Sequence, residues 1–95
     1  MTVAVLRIHL RLPSRTLKEK RAIVKSLVER LRNRFNASIA EAGALDEPAI
    51  AVIGAAVLSN SARHATEQAQ AIASTIAEWR LDAELIDIEL ETVDV

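Results

Sequence analysis

The spacing of the apolar residues changes along this chain of 95 residues, and the order of the changes constrains the fold more than any single motif. In residues 3–12 the even positions are apolar, while Arg7, His9 and Arg11 occupy odd positions. Alternation with a period of two is typical of a half-buried β-strand. Three further segments are predicted as strands: 37–42, 49–59 and 83–93. The segment 49–59 is apolar on both faces, as a central strand requires.

The segment after the first strand has the period of an α-helix. Thr16 and Glu19 have the spacing of a capping box, in which each side chain satisfies a backbone donor at the helix start. We expect the helix to stop at Asn36, because Asn tolerates the left-handed conformation that closes many helices. Its apolar stripe is predicted to consist of Leu17, Val24, Leu27, Val28, Leu31 and Phe35.

A second helix is predicted over residues 59–79, with Ser59 or Asn60 as its N-cap. The residues expected to face inward are Ala62, Ala65, Ala69, Ile72, Ala73 and Ile76. The order βαββαβ predicts one ferredoxin-like α+β domain over residues 1–95, with both helices on one face of a four-stranded antiparallel sheet of order 4-1-3-2. Within it, we expect strands 1 and 3 to be central and to run parallel.

The composition excludes several classes of protein. Two glycines are too few for a glycine-rich phosphate-binding loop, and the absence of cysteine excludes disulfides and thiolate metal sites. His9 and His64 lack the spacing of a metal-binding motif. The apolar runs are shorter than the roughly 20 residues that cross a bilayer. We therefore expect a cytoplasmic protein that is not an enzyme and has no cofactor, metal ion or membrane contact.

The charge is distributed unevenly. Residues 1–36 carry ten Lys or Arg and two acids, a net charge of +8, whereas residues 37–95 carry two Arg and eleven acids, a net charge of −9. Part of the positive charge forms one stripe along the first helix, beside its apolar face. Such a stripe can bind phosphates if it is exposed, although many charged helix faces only interact with solvent. The candidate nucleic-acid-binding residues are Arg15, Lys18, Lys20, Arg21, Lys25 and Arg32.

Strand 4 is predicted to lie antiparallel to strand 1 at one edge of the sheet. The basic residues of strand 1 would then lie opposite the acids of strand 4, which are Asp87, Glu89 and Glu91. Each such pair contributes about 0.2–1 kcal/mol, so we interpret the strand 1 arginines as partners of these acids and not as ligand contacts. The strand 4 residues expected to face inward are Ile86, Ile88 and Leu90.

The face of the sheet that carries no helix is predicted to include apolar residues. Val3 and Val5, with alternate residues of strand 3, would leave apolar surface there, and such patches often mark association surfaces. A homodimer through this face or through an edge strand is therefore one expectation. The other is that Val3, Val5 and Trp79 only complete the core.

Two stretches of the chain, "RTLKEKRAIVKSLVERLRNRFNASIAE" and "AVIGAAVLSNSARH", resemble the YlxP-like family of small bacterial proteins of unknown function. The resemblance covers most of residues 3–93 and implies a ferredoxin-like fold. Genes of that family commonly lie beside genes for translation initiation and ribosome maturation factors, which implies a role near RNA or the ribosome. The residues that fit the family pattern are Leu17, Lys18, Glu19, Lys20, Arg21, Lys25, Ser26, Leu27, Arg34, Phe35, Asn36, Glu41, Ser59 and Asn60.

The loop between strands 2 and 3 departs from that pattern. Many family members have a segment resembling H-Q-D-L-W there, whereas this chain reads "ALDEP" over residues 44–48. Asp46 is retained, and Pro48 stands in the place of the aromatic residue. A function that relies on that aromatic residue therefore does not carry over to this chain.

Three functions are compatible with these features. The favoured one is a non-enzymatic accessory factor that binds structured RNA, such as ribosomal RNA or a ribosomal subunit, through the first helix. The alternative is a homodimeric protein-interaction module with no nucleic-acid contact. An enzyme or small-molecule sensor rests on the fold alone. Phe35 and Trp79 are both predicted on helices, so base stacking on the sheet is not expected.

Overall fold

Six elements occur in the order that the apolar spacing predicts. The computed structural model describes residues 1–79 and 83–95. The elements are β1 (Thr2–Arg11), α1 (Leu17–Arg34), β2 (Ser38–Gly43), β3 (Ile50–Ser59), α2 (Ala62–Glu78) and β4 (Glu84–Asp94). All six predicted elements are present, with ends that move by a few residues. Neither helix is long and apolar enough to cross a membrane.

The strands form one sheet of order β2-β3-β1-β4, which is the predicted order read from the other edge. Every neighbouring pair is antiparallel. The prediction that strands 1 and 3 run parallel is wrong, because β1 and β3 are central but antiparallel, with Ile8 opposite Ile53. Because the helix α1 connects them, β2 runs in the same direction as β1. The hairpin between β2 and β3 then makes β3 antiparallel to both of these strands.

The core lies between the sheet and the two helices. The even-numbered residues of β1 are buried as predicted, and so is Ile39 in β2. The helices contribute one apolar face each, consisting of Val24, Leu27, Val28, Leu31, Ala65, Ala69, Ile72 and Ile76. Ala62 is exposed, contrary to prediction, because it is the first residue of α2 and lies one turn before the buried Ala65.

The start of α1 agrees with the sequence prediction, but its end does not. Thr16 is the N-cap and its Oγ1 accepts from the Glu19 backbone N–H at 3.1 Å. Glu19 accepts from the Arg15 N–H at 3.3 Å, one residue earlier than in a standard capping box. The helix ends at Phe35 in an extended conformation, and Ala44 is the only described non-glycine residue with positive φ. Asn36 is therefore not a left-handed stop.

The N-cap of α2 is Ser61, and neither predicted candidate serves. Its Oγ accepts from the His64 N–H at 3.3 Å. Ser59 still belongs to β3, and its Oγ accepts from the Ser61 N–H at 3.1 Å. The serine that was expected to cap the helix therefore stabilises the turn that leads into it.

β4 is more exposed than its alternation predicts. A β-bulge interrupts its pairing with β1, since His9 lies opposite Asp87 whereas Leu10 lies opposite Leu85, which leaves Ile86 as the extra residue. Of the residues expected to face inward, Ile88 packs against the core, but Ile86 and Leu90 remain exposed. The reason is that β4 is an edge strand that the helices cover incompletely.

Candidate nucleic-acid interface

Five cations lie on the exposed side of α1 and at its start. We call them the basic ridge; they are Arg15, Lys18, Arg21, Lys25 and Arg32, and all five are exposed. On a helix with a rise of 1.5 Å per residue, Lys18 and Arg32 are about 21 Å apart along the axis. The ridge is therefore a straight row of positive charge along most of α1.

The residues of the basic ridge have no ion-pair partner in the part of the chain that the structure describes. None of its five residues forms an ion pair with a carboxylate in residues 1–79 or 83–95. Glu29 has the spacing to pair with Lys25 or Arg32, yet it forms no ion pair with either. The five residues are therefore exposed cations without an ion-pair partner among the described residues, whereas their contact with a phosphate stays a prediction.

Lys20, the sixth candidate, has a different position. Its side chain is 1% exposed, its Nζ lies 3.0 Å from Glu41 Oε2, and it donates to the Ala44 carbonyl. Glu41 Oε2 makes no hydrogen bond to a described residue, so its contact with Lys20 is an ion pair without hydrogen-bond geometry. Lys20 does not reach solvent, and we correct the expectation that it contacts a phosphate.

The spacing of Lys20 could have revealed its burial. Lys20 precedes Val24 and Leu27 by four and seven residues, which places all three on the same helix face. That face is the buried one. A lysine at a core position of a helix needs a carboxylate or carbonyl nearby. The sequence does not show which residue supplies it, because Glu41 and Ala44 belong to the next strand and turn.

Arg32 is anchored to the edge of the sheet. Its Nε and Nη2 both donate to the Ile39 carbonyl of β2, at 3.0 and 2.6 Å. A carbonyl carries no net charge, so the guanidinium remains positive, and its Nη1 makes no hydrogen bond to a described residue. Because its position is already fixed, Arg32 would lose little conformational entropy on binding an anion.

A shallow groove of about 350 Å³ lies between α1 and β2. It is lined by Arg21, Val24, Lys25, Val28, Glu29, Arg32, Ala40 and Glu41. Three ridge cations share this groove with two carboxylates, so its interior is less favourable to a phosphate than the solvent side of the ridge. The geometry therefore favours contact along the outside of α1.

The basic residues of β1, in contrast, have acidic partners. Arg7 forms an ion pair with Glu91 at 3.0 Å, His9 Nε2 lies within hydrogen-bond distance of Glu89 Oε1 at 2.6 Å, and Arg11 forms an ion pair with Glu84 at 3.4 Å. The predicted neutralisation across β1 and β4 is confirmed, with Glu84 in place of Asp87. The first two pairs are diagonal, two residues from the directly opposite position. The β-bulge accounts for the use of Glu84, since it brings that residue opposite Arg11.

The two aromatic residues of the chain pack against the core and not on the open sheet face. Trp79 follows α2, and the Arg30 guanidinium lies 4.1 Å from the centroid of its ring. Phe35 caps α1 and has Arg34 at 5.9 Å from its ring centroid. Neither aromatic ring lies where a base could stack on the sheet.

A family model described as a protein of unknown function (DUF503) matches residues 3–90. No curated protein matches the chain. The matching description does not carry the YlxP-like label that the sequence motifs suggest, so that label stays a prediction.

Proposed function

This chain belongs to the DUF503 family of proteins of unknown function, and from its own geometry we propose that it is a non-enzymatic accessory factor that binds structured RNA. The contact surface is the basic ridge of α1. The RNA is ribosomal RNA, free or within a ribosomal subunit, as the resemblance to YlxP-like proteins implies. The absence of cysteine favours the cytoplasm as the location. One observation carries the proposal: five exposed cations lie in a row without an ionic partner in the described chain, whereas the arginines of β1 are paired.

The ridge is suited to a phosphate backbone. Its length of about 21 Å spans several phosphates of a nucleic-acid strand, and each phosphate that a cation neutralises releases counterions. Arg32 presents a fixed guanidinium at one end, while Lys18 and Arg21 lie in the first two turns of the helix. Binding of this kind depends strongly on salt and weakly on base sequence.

Structured RNA fits this surface better than single strands. Proteins that bind single strands commonly stack bases on exposed aromatic rings. Here Phe35 and Trp79 pack against the core and each has an arginine beside its ring. Double-stranded RNA is recognised mainly through its shape, phosphates and 2′-hydroxyl groups, which needs no aromatic residue.

We propose no catalytic role for either histidine. His9 Nε2 lies 2.6 Å from Glu89 within the row of ion pairs between β1 and β4, and His64 is exposed near the start of α2. The two residues lie on different elements, and neither lines the groove between α1 and β2 that three ridge cations share. The proposal therefore concerns binding alone.

A salt titration of RNA affinity tests the proposal. In a variant with Lys18, Arg21 and Lys25 replaced by glutamine, we expect the slope of log affinity against log salt to fall by about 2 to 3, because each lost phosphate contact removes about 0.7–0.9. The probe is a hairpin of ribosomal RNA, and fluorescence anisotropy measures its dissociation constant at each salt concentration.

The matched control changes the same net charge elsewhere. Arg7, Arg11 and Arg63 lie on β1 and α2 and are paired with acids, so their replacement by glutamine should leave the slope close to that of the wild type. Equal slopes for the ridge variant and the wild type would show that these residues of α1 do not contact the RNA. Equal losses in both variants would point to a general effect of net charge.

The open face of the sheet supports a second candidate function, a homodimeric protein-interaction module. Val3 lies opposite Leu58 of β3 on one side and Val93 of β4 on the other. Leu58 is 62% exposed, and Val5 and Ala56 extend the same patch. Contiguous apolar surface on a sheet face without helices is a common association surface. Homodimerisation would account for the apolar patch on the open sheet face, whereas RNA binding would account for the basic ridge of α1.

A further inference from the structure

β4 is a long strand at the edge of the sheet. It runs over Glu84–Asp94, and in the described part of the chain only β1 pairs with it. A free edge of this length exposes a row of backbone N–H and C=O groups that can pair with another strand. The other edge strand, β2, has six residues and is partly covered by the bonds from Arg32 to Ile39.

Over Glu84–Glu91, the two faces of β4 differ in their chemistry. Its row on the open face of the sheet has the four acids Glu84, Asp87, Glu89 and Glu91, followed by Val93 near the end of the strand, and the strand contains no lysine or arginine. Its row on the helix face contains Leu85 and Leu90, which are 36% and 37% exposed. A strand added at the free edge would therefore meet acidic side chains on one face and exposed apolar side chains on the other.

The sequence of β1, which already pairs with β4, shows which kind of strand can pair with these acidic and apolar rows. On the open face, β1 presents Arg7, His9 and Arg11 to the carboxylates, and on the helix face it presents leucine and isoleucine. β1 does not use all of the acids, since Asp87 forms no ion pair with a described residue. Its Oδ1 accepts from the Ile88 N–H, a bond that an added strand would replace. Negative charge therefore remains available to a strand on the other side of β4.

We propose that the free edge of β4 binds an extended segment of a partner protein in which basic and apolar residues alternate. The segment adds a fifth strand to the sheet. Its basic side chains contact the carboxylate row, and its apolar side chains cover Leu85 and Leu90. Backbone hydrogen bonds supply affinity, and the alternation supplies specificity, as in other complexes formed by strand addition. This inference does not depend on RNA binding by the ridge.

A second copy of this chain is a poor occupant of the same edge. Two β4 strands paired with each other would bring eight carboxylates together with no cation between them, since each copy carries the same four. Like charges on neighbouring strands are destabilising. The acidic row thus blocks self-association through this edge and leaves it open to a basic strand.

Binding of a designed peptide tests the inference. The probe is a ten-residue peptide in which arginine alternates with valine, added to the full 15N-labelled chain. We expect amide shifts concentrated in β4 and in the neighbouring residues of β1, with affinity that falls as salt increases. A peptide of the same composition with all arginines before all valines should bind about tenfold more weakly, because it cannot place charges on one face only.

Two variants separate the edge from the ridge. Asp87→Asn with Glu89→Gln keeps the shape of both side chains, and we expect it to weaken the alternating peptide about tenfold. Lys18→Gln with Arg21→Gln should leave peptide affinity unchanged. Fluorescence of Trp79, the single tryptophan, checks that both variants are folded.

Several results would overturn the inference. They are equal affinity for the alternating and the block peptide, amide shifts confined to elements other than β4 and β1, and no binding at peptide concentrations of about 1 mM. Protection of the β4 edge by a second copy in the peptide-free protein, seen as a concentration-dependent dimer with slow β4 amide exchange, would also contradict it.

Discussion

Lys20 joins three parts of the molecule at the scale of a single residue. It lies in α1, its Nζ is 3.0 Å from a carboxylate oxygen of Glu41 in β2, and it donates to the carbonyl of Ala44 in the turn after β2. Close by, the Ser14 hydroxyl donates to the Pro48 carbonyl at 2.6 Å. A buried charge is tolerated only with such partners, so these polar contacts organise this end of the molecule.

We expect Lys20→Met to destabilise the protein by about 2–3 kcal/mol, because it leaves the carboxylate of Glu41 without its counter-charge. This is less than for a fully buried pair, since Glu41 is partly exposed. Urea denaturation followed by Trp79 fluorescence measures the change. Adding Glu41→Leu should recover at least half of the loss, and RNA affinity should not change in the folded variants. A stable single variant would contradict this role for Lys20.

At the scale of one element, α1 serves both the core and the ridge. Val24 and Leu31 are buried on the side that faces the core, while Lys25 and Arg32 are exposed on the flank beside it. The Thr16 cap holds the first turn, which carries Lys18. The ridge can be straight only while that turn remains helical, so the cap supports the proposed binding surface as well as the fold.

Removing the cap should separate these two roles. We expect Thr16→Ala and the matched control Ser61→Ala each to lower stability by about 1 kcal/mol, since each deletes one N-cap acceptor. Only Thr16→Ala should also weaken RNA binding, because fraying of the first turn displaces Lys18 and Arg21. Calorimetry and anisotropy measure the two effects. If both variants weakened RNA binding equally, the effect would come from stability alone.

At the scale of the whole molecule, the basic ridge and the acidic residues of β4 lie near opposite edges of the sheet. α1 contacts β2 at one edge, whereas the acidic β4 forms the other edge. The net charge of −1 hides this separation. The repulsion of a polyanion from β4 and its attraction to α1 would orient the protein before contact, which is a property of the complete charge distribution.

The apolar patch on the open face leads to a prediction about assembly. If that face associates, sedimentation velocity over a concentration series should detect a dimer, and Leu58→Glu should convert it to a monomer by placing a charge in the interface. Leu45→Glu is the matched control, because Leu45 is 61% exposed but lies in the turn after β2. A wild-type protein that is monomeric at every concentration would exclude the second candidate function.

The sequence by itself determined the features that depend on local spacing. The order βαββαβ, the buried stripes of both helices and the Thr16 cap all follow from residues at most a few positions apart. The exposed cations of α1 could be predicted for the same reason. The pairing of the β1 arginines with β4 followed once the strand order was known.

Tertiary structure decided the features that depend on residues distant in the chain. Lys20 became a buried residue because Glu41 and Ala44 lie beside it in space, and Arg32 became fixed because the edge of β2 presents a carbonyl. β4 was left half covered because the helices pack mainly over the other strands. Alternation along a strand specifies which residues share a face, but only the packing of the whole domain decides whether that face is covered.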